Sequence, residues 1–131
     1  MVPPETATVL DTGRGRLWQQ EDGVLREVIH AKHLDGTHLP KAMDAYESLC
    51  EGRPRRQIVD AGAVRFVSLG FVRGSMTPRA RRIIGPMAVL VRNPVVRMVA
   101  RVFERLANHT YPVRLFDDEA EAVRWLLEQP E

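Results

Sequence analysis

Four carboxylates lie within five residues near the end of the chain, in "FDDEAEAVRWL". Such clusters can bind a divalent cation or act as general acid and base. The spacing favours a different role. If Asp118 precedes a helix, Glu121 follows three residues later, as in a capping box, and the acids lie near the positive end of the helix dipole. The sequence therefore predicts that these acids start a helix, and it offers no metal ligands elsewhere to join them.

Histidine and cysteine are the other residue types that could bind a metal or act as nucleophiles. The histidines His30, His33, His38 and His109 match no standard zinc-ligand spacing. Cys50 occupies an apolar position of a predicted helix, with no His or Lys beside it to lower the thiol pKa, so a buried, inert thiol is expected. No phosphate-binding loop or nucleophile elbow is present. The sequence thus predicts no enzyme, no metal and no cofactor.

A segment rich in hydroxyl and guanidinium groups is the best candidate for a binding site. Residues 68–77 follow a predicted strand and precede a predicted helix, which is where open α/β sheets bind ligands. Replacing Ser75 and Thr77 by alanine should therefore impair binding more than folding. The predicted binding residues are Ser68, Arg73, Ser75, Thr77, Arg79 and Arg82.

Arginine is concentrated in the second half of the chain. Between Arg73 and Arg105 there are eight arginines and one acid, although the formal net charge is only +2. If the helices flanking "MAVLV" lie on one side of a sheet, their arginines form a basic surface that could bind nucleic acid or an acidic ligand. The alternative is a solvated polar face, which the lack of interleaved aromatic residues favours. The residues of this surface are Arg79, Arg81, Arg82, Arg97, Arg101 and Arg105.

Alternating strand and helix patterns must position these residues. A hairpin in "GRLWQQEDGVLREVIH" has an Asp-Gly turn and precedes helices that alternate with the strands "RQIVDAG", "MAVLV" and "PVRLF". The predicted helix caps are Thr37, Thr77, Asn93 and Asp118. This order predicts one α/β domain over residues 9–131, behind a flexible arm of residues 1–8. Its sheet is mixed and mostly parallel, with about five strands and about four helices.

Two apolar surfaces follow from the same pattern. In the helix of "NPVVRMVARVFERLANH", one face is predicted to carry Val95, Val99, Val102, Phe103 and Leu106. The hairpin places further apolar residues near a sheet edge, where exposed apolar surface is usually paired or covered. Because a twofold contact is the commonest solution, we expect a homodimer with Trp18 near the contact. The hairpin residues concerned are Leu17, Trp18, Val24 and Leu25.

The composition is that of an ordinary globular protein, with 44% hydrophobic and 27% charged residues. The longest apolar run, from Pro86 to Val91, is far too short to span a bilayer. The N-terminal segment has neither a basic start nor an apolar core, and a single cysteine suits a reducing compartment. We therefore expect a cytoplasmic protein without a membrane span.

The chain resembles the SpoIIAA-like group of the STAS fold, the anti-sigma-factor-antagonist-like domains, and especially small bacterial proteins described as STAS/SEC14-domain. The resemblance is carried by "RLWQQEDGVLREV", "AMDAYESLCEGRPRRQIVDAGAVRFVS" and "RLFDDEAEAVRWL". It implies a non-enzymatic regulatory domain that binds an unidentified protein partner, or a small apolar or nucleotide ligand.

The resemblance does not extend to the phosphorylation switch of the better-understood members. Those proteins carry an Asp-Ser-Ser-Gly type motif, in which a serine near the start of the second helix is phosphorylated. This chain has "FVSLGFVRGSMTPRA" instead. The phosphorylated position is therefore not transferred to Ser68, Ser75 or Thr77.

Overall fold

The computed structural model describes residues 1–108 and 110–130. The predicted order of strands and helices is present, and the structure adds three two-residue strands (β1, β4 and β6 below) and one short helix (α2). The elements are, in order, β1 (Leu10–Asp11), β2 (Gly15–Gln19), β3 (Leu25–Ile29), β4 (His33–Leu34), α1 (Leu39–Cys50), β5 (Arg55–Asp60), β6 (Phe66–Val67), α2 (Leu69–Gly74), α3 (Pro78–Ile83), β7 (Ile84–Leu90), α4 (Pro94–Ala107), β8 (Val113–Phe116) and α5 (Glu119–Glu128).

Six strands form the main sheet in the order β1-β2-β3-β5-β7-β8. The strands β1, β2 and β3 are antiparallel neighbours, whereas the pairs from β3 to β8 are parallel. The predicted Asp-Gly turn joins β2 to β3: Gly23 has φ +83°, and the Asp22 carboxylate accepts a hydrogen bond from the Val24 amide at 3.0 Å. The strands β4 and β6 form a separate parallel pair. The mixed, mostly parallel α/β architecture is confirmed.

Helices cover both faces of the sheet. The strand β7 is buried along its whole length, as the run "MAVLV" predicts for an interior parallel strand. Its residues alternate between two cores: Met87 and Val89 pack with α1, α2, α3 and α4, whereas Ala88 and Leu90 pack with α5. Four helices therefore lie on one face and α5 lies on the other.

Local capping follows the sequence in three of the four helices for which a cap was predicted. Asn93, Thr77 and Asp118 each accept a hydrogen bond from a backbone N–H in the first turn of α4, α3 and α5. The predicted Thr37 cap is wrong, because its hydroxyl donates to the Asp35 carboxylate at 2.7 Å instead. Within residues 1–108 and 110–130, no helix combines the length and apolar character needed to cross a membrane.

The face of α4 that packs on the sheet is rotated about the helix axis relative to the predicted apolar face. Only Phe103 of that set is buried, and Val96 and Ala107 of the same helix lie in the core beside it. The apolar residues form an arc opposite Arg97, Arg101 and Arg105, and this arc is wider than the face that packs on the sheet, so periodicity alone does not select which part of it is buried. Packing against β8 and β6 sets the rotation, and it leaves three of the predicted face residues exposed: Val95, Val102 and Leu106.

Candidate functional site

The acids at the start of α5 have separate structural roles. Asp118 caps the helix, Asp117 forms an ion pair with Arg97, and Glu119 forms one with Arg26 at 3.3 Å. Their carboxylates do not converge on one point. Among residues 1–108 and 110–130, no three potential metal ligands come together. The prediction that these acids begin a helix is confirmed by the Asp118 cap.

The histidines and the cysteine also have ordinary surroundings. His33 is exposed and meets the Phe66 ring edge-on, with 4.6 Å between ring centroids. His38 directly precedes α1, and His109 lies outside the described residues. Cys50 is buried as predicted, and its thiol donates to a backbone carbonyl one turn earlier at 3.3 Å.

The predicted binding segment becomes α2 and the turn that follows it. Ser75 is only 4% exposed, and its hydroxyl donates to a carbonyl of α2 at 2.8 Å. Thr77 caps α3. Ser68 is the partly exposed residue before α2 and makes no capping bond there, and Arg73 is exposed. Two of these residues therefore hold the local backbone, and binding by the segment remains a prediction.

The predicted basic surface is divided by ion pairs. Both α3 and α4 lie on the same face of the sheet as expected, but Arg79 reaches α1, where its Nη2 lies 2.6 Å from Asp44 Oδ1 and 2.8 Å from Glu47 Oε2. These hydrogen bonds raise the pKa of Arg79. Arg97 is bound to an acid before α5. The members that are exposed and form no ion pair with any described residue are Arg81, Arg82, Arg101 and Arg105.

The hairpin does not expose apolar surface. All four residues expected near a sheet edge are at most 1% exposed. The strand β1 pairs with β2 on its outer side, so β2 is not an edge strand. The Trp18 ring nitrogen donates to the Gln20 side chain at 2.9 Å. The premise of an exposed hairpin is therefore wrong, and buried Trp18 cannot form a contact between two copies.

Six of the nine large apolar side chains that are exposed among the described residues lie on α4 and its neighbours. We call Val95, Met98, Val102 and Leu106 the α4 ridge. They follow one another at helical spacing and are 48–66% exposed. Phe66 of β6 and Leu69 of α2 are 56% and 61% exposed.

These elements are neighbours in the fold. The strand β6 packs against α4, and the Phe71 and Phe103 rings join α2 to α4 with 6.3 Å between centroids. The ridge, β6 and α2 thus present apolar side chains on adjoining elements. Arg101 and Arg105 of α4 are exposed beside the ridge.

A buried ion pair that was not predicted from the sequence lies beneath α1. Arg14 donates two hydrogen bonds to the Glu27 carboxylate at 2.8 and 2.7 Å, and the Tyr46 hydroxyl donates a third at 2.7 Å. Burial raises the pKa of Glu27, but the Arg14 guanidinium and these hydrogen bonds outweigh it and hold that pKa below its ordinary value. A sequence signal exists: Glu27 alternates with Leu25 and Ile29 and must therefore share their buried face.

Comparisons with known proteins identify the family of the chain and proteins that share its fold. A family model described as "Domain of unknown function (DUF7793)" matches residues 17–129. No curated protein matches the chain. One similar solved structure is an uncharacterized protein of the DUF3478 family with a SpoIIAA-like fold from Shewanella loihica PV-4. It is 14% identical, covers 96% of this chain and 98% of that chain, and gives a TM-score of 0.55.

A second similar structure is an anti-sigma factor antagonist from Mycobacterium paratuberculosis. It is 18% identical, covers 98% of this chain and 100% of that chain, and gives a TM-score of 0.57. At these identities the likeness shows the fold, and it confirms the SpoIIAA-like architecture expected from the sequence. Because the family model matches most of its length, the chain belongs to the DUF7793 family of domains of unknown function.

Proposed function

We propose that this protein is a non-enzymatic, cytoplasmic regulatory domain that binds an acidic partner protein through the α4 ridge and the adjoining Phe66 and Leu69. The observation that carries the proposal is the exposure of these six apolar side chains on neighbouring elements. Monomeric soluble proteins rarely expose large contiguous apolar patches, and such patches commonly mark interaction sites. The fold likeness to an anti-sigma factor antagonist supports a regulatory role.

The charges beside the ridge support an acidic partner. Arg101 and Arg105 are exposed and form no ion pair with any described residue. A partner that places carboxylates around an apolar centre would meet these guanidinium groups at the rim of the interface. Rim charges of this kind mainly raise the association rate and exclude wrong partners.

A second copy of the chain fits the same surface less well. A twofold contact brings the same patch of both copies together. Across the α4 ridge, such a contact would bring Arg101 and Arg105 of one copy towards those of the other. Like charges in such positions oppose association.

Nucleic acid binding is the alternative function, and it has weaker support. A phosphate backbone requires a row of free cations. Arg79 and Arg97, which would have continued the row on α3 and α4, are already held by carboxylates. Arg101 and Arg105 border the exposed apolar side chains of the α4 ridge, which suits a protein surface better.

Site-specific photo-cross-linking in native cells tests the proposal. A photoreactive amino acid at position 98 should capture one acidic protein, whereas the same group at position 127 of α5 should not. Leu127 is 51% exposed, so it matches Met98 in exposure but lies on the other face of the sheet. The captured protein is then purified, and its affinity is measured by titration calorimetry.

Substitutions define the surface. Met98→Glu and the double substitution Arg101→Glu with Arg105→Glu should each weaken binding at least about tenfold, since central apolar contacts and opposed charges carry such energies. The control Leu127→Glu should bind normally. Equal capture at both positions, or normal binding by Met98→Glu, would show that the ridge is not the interface. Capture of nucleic acid with a steep salt dependence would favour the alternative.

A further inference from the structure

A cavity lies between the sheet and helices α1, α2 and α4. The volume of the cavity is about 70 Å³, counted as the space that the centre of a water molecule can occupy. Apart from five polar side chains, its lining is apolar, with Met43, Val59, Phe71 and Phe103 among the contributors. A concave, mostly apolar space with a few polar groups is the usual form of a small-molecule site.

Three of the five polar side chains are already satisfied. The Tyr46 hydroxyl donates to Glu27, the Tyr111 hydroxyl donates to the Ser75 carbonyl at 2.9 Å, and the Ser75 hydroxyl donates within α2. Burial raises the pKa of both tyrosines, so the phenols remain protonated donors. These groups have no need of a ligand.

The other two polar side chains have unused hydrogen-bonding capacity. Neither the oxygen nor the nitrogen of the Gln57 amide has a partner among the described residues, and the same is true of Arg14 Nη1. Gln57 is 1% exposed and Arg14 is 8% exposed. Buried polar atoms in native proteins are almost always paired, and leaving one unpaired is costly. Both side chains line the cavity, so a molecule inside it is the partner available to them.

The charge of the site indicates which molecule fits. The Arg14 guanidinium is already neutralised by the two hydrogen bonds from its Nε and Nη2 to Glu27. An added anion would therefore meet a pair without net charge, beside a buried carboxylate. The Gln57 amide offers both a donor and an acceptor, so its complement must accept and donate as well. We propose that the cavity binds a small neutral aliphatic molecule with one such polar end, a primary amide or an alcohol, placed at Gln57 and Arg14.

Straight-chain compounds of increasing length test the proposal. Primary amides from propanamide to octanamide, and the corresponding alcohols, are titrated into the full chain and followed by methyl NMR shifts. Each added methylene group should tighten binding about fourfold while the cavity has room, after which binding should fall. The carboxylates of the same lengths should bind more weakly at neutral pH, because Arg14 is already paired.

Three variants test where the polar end of the ligand lies and whether the ligand occupies the cavity. Gln57→Leu should lose the preference for amides over alkyl compounds without a polar end, and it should still fold, because an unpaired buried amide is replaced by an apolar group of similar size. Ala100→Leu places a larger side chain in the cavity wall. This substitution fills part of the cavity and should abolish binding. Gln19→Leu makes the same amide replacement outside the cavity and should bind like the natural chain.

Several outcomes would overturn the proposal. If no amide or alcohol shifts the cavity methyl groups, water alone satisfies the polar atoms and there is no such site. If Gln57→Leu binds amides as well as the natural chain does, the polar end is not at Gln57. If carboxylates bind more tightly than amides, the inference of a neutral ligand is wrong.

Discussion

At the scale of single residues, the Arg14–Glu27 pair is the most costly feature of the core. Removing two charges from water costs several kcal/mol for each ion, and good geometry with extra hydrogen bonds is needed to offset that cost. The pair has both: two parallel N–H···O bonds and a third bond from Tyr46. These bonds tie the hairpin to α1, so the pair joins elements that local sequence does not connect.

Stability should depend on the charge of Glu27. Its pKa in the folded chain lies below the ordinary value of 4.5, so the unfolded chain binds more protons in that range. The stabilisation is fully present above about pH 4.5 and is lost as the pH falls through the folded pKa. We expect Glu27→Gln to lower the free energy of unfolding at neutral pH by about 3–5 kcal/mol and to flatten its acid dependence. Urea unfolding followed by tryptophan fluorescence at several pH values measures both.

The control for this prediction is Glu21→Gln, which changes an exposed glutamate and should leave stability and its pH dependence unaltered. If Glu27→Gln does not fold, Tyr46→Phe removes only one of the three hydrogen bonds and permits the same measurement. An unchanged acid slope in either core variant would show that the pair does not couple folding to pH.

At the scale of elements, helix starts are encoded within one turn of the chain. Asp118, Asn93 and Thr77 each lie directly before a helix and accept a hydrogen bond from its first turn. In α3 and α4 a proline follows the cap, a position where its missing N–H costs nothing. The acids before and within α5 are explained by the same rule, with ion pairs to the sheet and to α4 in addition.

Asp118→Ala should lower the free energy of unfolding by about 1 kcal/mol, because one N–H at the start of α5 loses its partner. Binding to the partner captured at α4 should be unaffected, since α5 lies on the other face of the sheet. Asp118→Asn keeps an accepting oxygen and should be close to the natural chain in stability. Chemical denaturation and calorimetry measure the two effects. Lost binding with unchanged stability would show that the acids have a direct function.

At the scale of the whole molecule, four helices cover one face of the sheet and one covers the other, and most of the exposed large apolar side chains lie on α4, β6 and α2. The hairpin, which first suggested self-association, is buried by its own domain. Among the described residues the α4 ridge holds more exposed large apolar side chains than any other element, and exposed arginines border it.

Light scattering at micromolar concentration tests self-association. The hairpin is buried and cannot form the contact, and a twofold contact across α4 would bring like charges together. We therefore expect the monomer mass of 14.9 kDa. Met98→Glu should have the same mass. A dimer that Met98→Glu dissociates would make a second copy the occupant of the α4 ridge, and a dimer that it does not affect would place the contact elsewhere.

The sequence by itself determined most of the elements and their order, although not β1, β4, β6 or α2. Caps such as Asn93 and Asp118, and the buried run of β7, depend on neighbours within a turn or a strand, so local spacing reveals them. The same local rules showed that the terminal acids begin a helix. The order of these elements predicted a mixed, mostly parallel α/β domain, and the resemblance carried by segments such as "RLWQQEDGVLREV" implied its SpoIIAA-like form.

Only the tertiary structure decided which surfaces meet. The rotation of α4, the attachment of Arg79 to α1, and the meeting of Arg14 with Glu27 depend on contacts between elements distant in sequence. Helical periodicity could not fix the rotation of α4, because its apolar arc is wider than the face that the sheet covers. Nothing local distinguishes Gln57 from any strand glutamine. It becomes a candidate binding residue because the packing of three helices above it leaves its amide facing a cavity.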